Sequence, residues 1–180
     1  FNSNWSKKRF LEGLENKFVN SNKLTVFYQS AQRGLKSLTS KKKKWITFVG
    51  KLNKAKGYDV FCGAIAKILN KYPDWKAKII GDEKREKINI KHKNAEVLGF
   101  KKHSDVIKIF KTTSIAVACS RWEEPFGRTS LEASANGCAV IITNKGGLPE
   151  TITNGVILKK LNIKSLEKSL ENLIKNSDFR

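Results

Sequence analysis

From residue 44 onward, short continuous apolar runs alternate with longer stretches in which apolar residues recur every three or four positions. The runs 45–49, 76–80, 95–98, 115–119, 139–143 and 155–158 read as strands, because they are short, apolar throughout and bounded by glycine or polar residues. Between them, 58–69 carries Val60, Phe61, Ala64, Ile65, Ile68 and Leu69 at helical spacing. A second helix holds Val106, Ile107, Ile109 and Phe110, with Ser104 as its expected cap. A third spans 128–136 and stops at Gly137. A last one spans 165–174, with Leu166, Leu170, Leu173 and Ile174 on one face. Strands that are apolar on both faces, alternating with helices, predict an α/β domain built on a doubly wound, Rossmann-like parallel sheet.

Ligands of such sheets bind beyond the carboxyl ends of the strands. The loops of chemical interest all begin there: after Val49, Ile80, Leu98, Cys119 and Thr143. Residues 1–40 break the alternation. They offer a helix over 5–14, a strand over 24–28 and a polar stretch over 29–40, followed by the lysine run 41–44. We read them as the tail of a preceding domain and a solvated linker, and 41–180 as the ligand-binding domain. The chain opens on Phe1 and contains no Met, so its natural beginning is expected upstream.

The formal net charge of +20 offers two explanations. One is a polyanionic partner, nucleic acid or an anionic membrane surface. The other is compositional drift toward Lys, Asn and Ile. The lysines are scattered over every segment and outnumber arginine, so drift with weak surface attraction is favoured over a nucleic-acid site, where Arg and interleaved aromatics are expected. No run reaches the roughly 20 apolar residues of a membrane-spanning helix. Cys62, Cys119 and Cys138 form no Cys-x-x-Cys pair and read as small buried hydrophobes of a reducing compartment, which places the protein in the cytoplasm.

Three loops carry the candidate chemistry. Residues 50–57 follow a strand and precede a helix with three lysines, but match neither a Walker A loop nor Gly-x-Gly-x-x-Gly, which argues against a dinucleotide cofactor. In the stretch 122–132, Glu124 and Glu132 stand eight positions apart, separated by Pro125, Gly127 and a helix start. A helix N-terminus suits a phosphate, and two acids beside it suit a ligand that also bears hydroxyls. A nucleotide sugar is such a ligand. The third loop, 144–150, has Gly146 and Gly147, which permit close backbone approach or a tight turn. His92 and His103 read as exposed; no metal-ligand spacing and no Asp-x-Asp occur, so no metal is expected.

Together these residues resemble a known family. Gly50-Lys51-Leu52 with Lys56-Gly57, Glu124-Pro125-Phe126-Gly127 through Leu131-Glu132-Ala133, and Gly146-Gly147 with Glu150 are similar, in order, to the C-terminal half of the GT-B fold in family 4 retaining glycosyltransferases, the glycosyl transferases group 1. The resemblance implies transfer of a sugar from a nucleotide diphosphate sugar to an acceptor hydroxyl with retention, and no cofactor. By the same resemblance Lys51 and Lys56 would grip the diphosphate together with Gly50, and the backbone of Phe126, Gly127, Arg128 and Thr129 would bind it. Glu132 would take the ribose hydroxyls, Glu124 would contact the donor sugar, and Gly99 and Phe100 would flank the base. It also implies a missing N-terminal domain that holds most of the acceptor site, so residues 1–180 alone should bind donor weakly and transfer negligibly. A lipid or saccharide acceptor at the anionic inner face of the membrane agrees with the basic surface. Two positions depart from the family: Lys51 stands where Arg is usual, and Gly81 stands alone where two glycines are common. The alternatives are another GT-B enzyme on a nucleotide sugar, an epimerase or starch-type synthase, and a basic nucleic-acid-binding module.

Overall fold

The structure, a computed structural model, describes residues 1–14, 21–32 and 42–177. Six strands, β1 (Lys43–Val49), β2 (Lys76–Ile80), β3 (Ala95–Val97), β4 (Thr113–Ala118), β5 (Ala139–Thr143) and β6 (Val156–Leu158), form one sheet in the order β3-β2-β1-β4-β5-β6. Every pairing is parallel. Among the described residues five α-helices accompany them: α1 (Asn4–Gly13), α2 (Tyr58–Lys71), α3 (His103–Thr112), α4 (Arg128–Ala135) and α5 (Ile163–Lys175). None of the described helices is long and apolar enough to cross a membrane.

The period of two along each strand explains the two layers. Ile46, Phe48, Ala77, Ile79, Ile115, Val117 and Ile141 point to one face, where α2 and α5 supply Phe61, Ile65, Ile68, Leu166 and Leu170. Their neighbours Ile80, Ala116, Val140 and Ile142 point to the other face and meet Val106 and Phe110 of α3 and Ala133 of α4. Both faces are covered, as the continuous apolar runs require. Phe48, at the carboxyl end of β1, packs its ring 5.3 Å from Tyr58 and 5.0 Å from Phe61, which fixes α2 beneath the loop that joins them. Burial pushes the Cys119 and Cys138 thiols up to about 12, so both stay protonated packing groups.

Several local expectations need correction. The segment 24–28 is no strand: the Phe1 ammonium donates to the Thr25 carbonyl and the Phe27 amide to the Phe1 carbonyl, so its backbone is tied to the first residue rather than to a sheet. The linker reading of 33–41 lies outside the described residues. Of the lysine run, Lys43 and Lys44 belong to β1, and half-buried Lys42 donates to the carbonyl oxygens of Phe110, Lys111 and Asn136. Desolvation pulls its ammonium below the ordinary lysine value. Ser104 does not cap α3; the helix starts two residues earlier than that cap implies, with extended Lys102 at its N-cap and Asp105 supplying negative charge to the first turn.

The helix expected near the start is present, and it docks on the sheet domain. Ser3 caps α1 and donates to the Pro125 carbonyl at 2.5 Å; Ser6 donates to the same oxygen at 2.9 Å. Glu150 receives the first-turn amides of Asn4 and Trp5 at 2.8 and 2.9 Å, and the Tyr28 hydroxyl at 3.0 Å. Burial pushes the Glu150 carboxyl up, but these donors, led by the two amides, outweigh it and hold the group below its ordinary 4.5. A carboxyl depressed on folding stabilises the docked state above its unfolded value and stops doing so as the pH falls through the lower folded value.

Two predictions follow from this packing. Glu150→Gln should lower hydrogen-exchange protection of the Asn4 and Trp5 amides by about tenfold at neutral pH, and the wild type should lose the same protection on acidification below pH 4.5. Unchanged protection in both cases would dismiss Glu150 as the anchor. The second concerns two glycines with the same left-handed backbone, Gly57 (φ 72°) and Gly99 (φ 67°). A Cβ on Gly57 would lie 2.0 Å from the Cys119 carbonyl oxygen, whereas one on Gly99 would meet nothing within 4 Å. In urea unfolding Gly99→Ala should cost about 1 kcal/mol and Gly57→Ala about 3 kcal/mol or more. Equal costs would refute the close packing at Gly57.

Candidate active site

In the order β3-β2-β1-β4-β5-β6 the winding reverses between β1 and β4, so their departing loops diverge and leave a crevice. A cavity of about 150 Å³ occupies it. Its walls come from Gly50 and Lys56 after β1, Ser120 and Glu124 after β4, and Gly127, Arg128 and Thr129 at the start of α4.

The lysine loop is built, not loose. Residues Lys54–Lys56 form a turn of 3-10 helix capped by Asn53, whose side-chain oxygen accepts the Lys56 amide at 3.0 Å, while Glu86 accepts the Lys54 amide at 3.0 Å. Asn53 is held in turn by Glu83 at 3.0 Å. The loop after β4 is laced to this turn: Ser120 Oγ and the amides of Arg121 and Trp122 all donate to the Ala55 carbonyl. Arg121 also grips Asp59 in α2 through two bonds of 2.6 and 2.8 Å, which holds that carboxyl below the usual carboxylate range. These ties aim Lys56 across the cavity, where its Nζ pairs with Glu124 Oε1. The side chains are 31% and 17% exposed, so each charge is partly withdrawn from water and depends on the other.

The Glu124 loop is fixed from behind by the glycine pair. Gly147 donates to the Glu124 carbonyl at 2.6 Å, and a Cβ on Gly146 would lie 2.1 Å from that same oxygen. The close approach that two glycines allow is thus made to the protein's own Glu124–Phe126 main chain. Phe126 turns its ring inward, 3% exposed and 6.0 Å from the Tyr28 ring, and does not line the cavity. Gly127 then enters α4 with φ 112°, and no side chain caps the helix. Its first-turn amides lack intrahelical partners and border the cavity, where the positive end of the helix dipole favours an anion.

Glu132 lies one turn further along α4, buried, with an 11% exposed side chain held by Arg128 Nη2 at 3.1 Å and His103 Nε2 at 3.0 Å. Of the other expected residues, Lys51 is exposed and does not line the cavity. Gly99 accepts the Gly81 amide at 2.9 Å, which links the loops after β2 and β3, and Phe100 beside it is 76% exposed. A Cβ on Gly81 would fall 1.8 Å from the Gly50 carbonyl, so one glycine suffices for that contact. The structure therefore gathers Gly50, Lys56, Glu124, Gly127, Arg128 and Thr129 around one cavity and leaves Lys51, Gly99, Phe100, Phe126 and Glu132 outside its lining. Sequence reasoning missed Ser120, which nothing marks in a strand-end loop. It also missed the bond between His103 and Glu132, which joins two helices far apart in the chain. Among the described residues no group of three or more His, Cys, Asp or Glu is placed to hold a metal ion.

Comparison with known proteins agrees with this geometry. The family model for glycosyl transferases group 1 matches residues 34–180. The chain is 30% identical to spore coat protein SA of Bacillus subtilis over 155 residues, covering 77% of this chain and 41% of that protein. It therefore spans about two fifths of the length of this curated relative. Among solved structures, the C-terminal domain of the group 1 family glycosyl transferase LpcC from Francisella tularensis is 30% identical, with a TM-score of 0.67 over 85% of this chain and 87% of that one. Anabaena HepE, solved with UDP-glucose, shares the fold at 18% identity, with a TM-score of 0.77 over 99% of this chain and 54% of its own. The chain belongs to the glycosyl transferases group 1 family, and its sheet domain has the Rossmann-like form of the GT-B glycosyltransferases.

Proposed function

We propose that this chain supplies the donor-binding half of a retaining glycosyltransferase that moves a sugar from a nucleotide diphosphate sugar to an acceptor hydroxyl. The observation that carries it is the cavity at the β1/β4 switch point, bounded by the uncapped start of α4, the Lys56 ammonium and the Glu124 carboxylate. The α4 amides and Lys56 are the groups that a diphosphate needs. The same groups favour the transition state, because charge develops on the departing diphosphate and fixed donors already face it.

The pairing of Lys56 with Glu124 fits this reading. A diphosphate entering the cavity competes for Lys56 and releases Glu124 to accept hydrogen bonds from the sugar hydroxyls. In this reading Glu132, one turn along α4 from the cavity, takes the ribose, and exposed Phe100 offers a face to the base. Lys51 can reach the diphosphate only by swinging inward from its exposed position, so its share in binding is secondary. Among chemically similar readings, the solved neighbours that carry UDP and UDP-glucose favour a nucleotide sugar as substrate rather than a resident cofactor.

The rest of the reaction falls to parts beyond this site. Residues 1–40 belong to a preceding domain and linker that contribute the acceptor side, and 41–180 form the donor domain. The acceptor is a saccharide or lipid-linked saccharide presented at the inner face of a membrane, toward which the strongly basic surface is drawn, with the protein itself cytoplasmic. A nucleic-acid module is the rival that the same charge permits.

A thermal-shift panel of nucleoside diphosphates, nucleotide sugars and nucleic acids separates the two. At a ligand concentration about 100 times Kd, UDP or GDP should raise Tm by about 5–10 °C. Glu132→Ala should remove most of that rise. Stabilisation by single-stranded or duplex nucleic acid instead, with a steep salt dependence, would overturn the transferase reading.

A further inference from the structure

The two donors that hold Glu132 converge on one oxygen. Arg128 Nη2 and His103 Nε2 both meet Oε1, at 3.1 and 3.0 Å. A carboxylate oxygen offers two lone pairs, so this pair of donors saturates Oε1. Oε2 has no hydrogen-bond partner among the described residues. It keeps two acceptor sites, the number that a pair of vicinal hydroxyls requires.

The donors differ in stiffness. Arg128 lies on the same helix four residues before Glu132, at the end of a long side chain that is 62% exposed. His103 comes from the first turn of α3, immediately beyond the Gly99–Phe100 loop, and its ring has only two side-chain torsions. The terminal torsion of a glutamate is broad and roughly two-fold, so one flexible partner leaves the carboxylate free to rotate. A second donor from a different helix removes that freedom.

We propose that His103 is a positioning residue for the donor's ribose: by holding Oε1 it turns Oε2 of Glu132 toward the 2′- and 3′-hydroxyls. This rests on the assignment of Glu132 to the ribose made above. It adds a specificity element from α3, and it makes the loop that flanks the base and the acid that takes the ribose parts of one rigid unit. A purely structural tie between α3 and α4 would use the same bond, but it would affect every nucleotide alike.

The test uses calorimetric titration of the protein with UDP and with 2′,3′-dideoxyuridine 5′-diphosphate. His103→Ala should weaken UDP binding about tenfold, the value of one hydrogen bond to a charged group. It should change binding of the dideoxy analogue less than about twofold. His103→Gln, which keeps an N–H donor, should recover most of the UDP affinity. Circular dichroism and Tm of the ligand-free variants should match the wild type, because the His103 side chain is 64% exposed. Equal weakening of both nucleotides, or weakening of neither while Glu132→Gln still reduces UDP binding, would overturn the positioning role and leave the donor site standing. Failure of the wild type to bind either nucleotide would remove the donor reading and this proposal with it.

Discussion

The site depends on main chain packed against main chain at the carboxyl ends of the strands. Gly57 lies against the Cys119 carbonyl, Gly81 against that of Gly50, and Gly146 against that of Glu124, each with no room for a Cβ. These three contacts join the loops after β1, β2, β4 and β5 into one rim. The backbone bonds that accompany them, from Gly50 to Ile80 and from Gly147 to Glu124, leave little freedom for the loops to shift separately. A rim of this kind fixes where Lys56, Glu124 and the start of α4 stand before any ligand arrives, so the cost of ordering them is met in folding rather than in binding.

Charge follows from that rigidity. Lys56 and Glu124 face each other across the cavity and neutralise each other, while Glu132 is paired with Arg128 and hydrogen-bonded by His103. Lys56 can be exchanged for a ligand group at Glu124, whereas Arg128 and His103 stay on Oε1 of Glu132 and leave Oε2 to the ligand. The positive end of α4 has no protein partner of its own among the described residues, since no side chain caps it. An anion is the ligand that completes this arrangement. Glu150 performs the corresponding service for α1, and because its turn also holds the Glu124 loop, the segment before the sheet domain is mechanically tied to the site.

The architecture was legible because strand burial on both faces leaves unbroken apolar runs, as in Ile115–Cys119 and Ala139–Thr143, and because α2 and α5 carry one-sided apolar stripes. The Glu124–Glu132 spacing was legible because Pro125 and Gly127 mark where the loop gives way to helix. What stayed hidden has long-range causes. Gly146 and Gly147 look the same in sequence whether they admit a ligand or another loop; only the fold shows Glu124 as their neighbour. The apolar residues of 24–28 resemble a strand, but a strand needs a sheet edge, and none lies beside them among the described residues. His103 sits in a lysine-rich stretch that reads as surface, and its bond to Glu132 exists only because α3 and α4 pack side by side.

A crystal structure of the protein with bound UDP tests the central assignment most directly. The expected result places the β-phosphate about 3 Å from the main-chain amides at the start of α4, with Lys56 moved from Glu124 to the phosphate and the ribose on Glu132 Oε2. UDP bound elsewhere, along the exposed lysines of the surface, with the Lys56–Glu124 pair intact and the β1/β4 crevice empty, would contradict it.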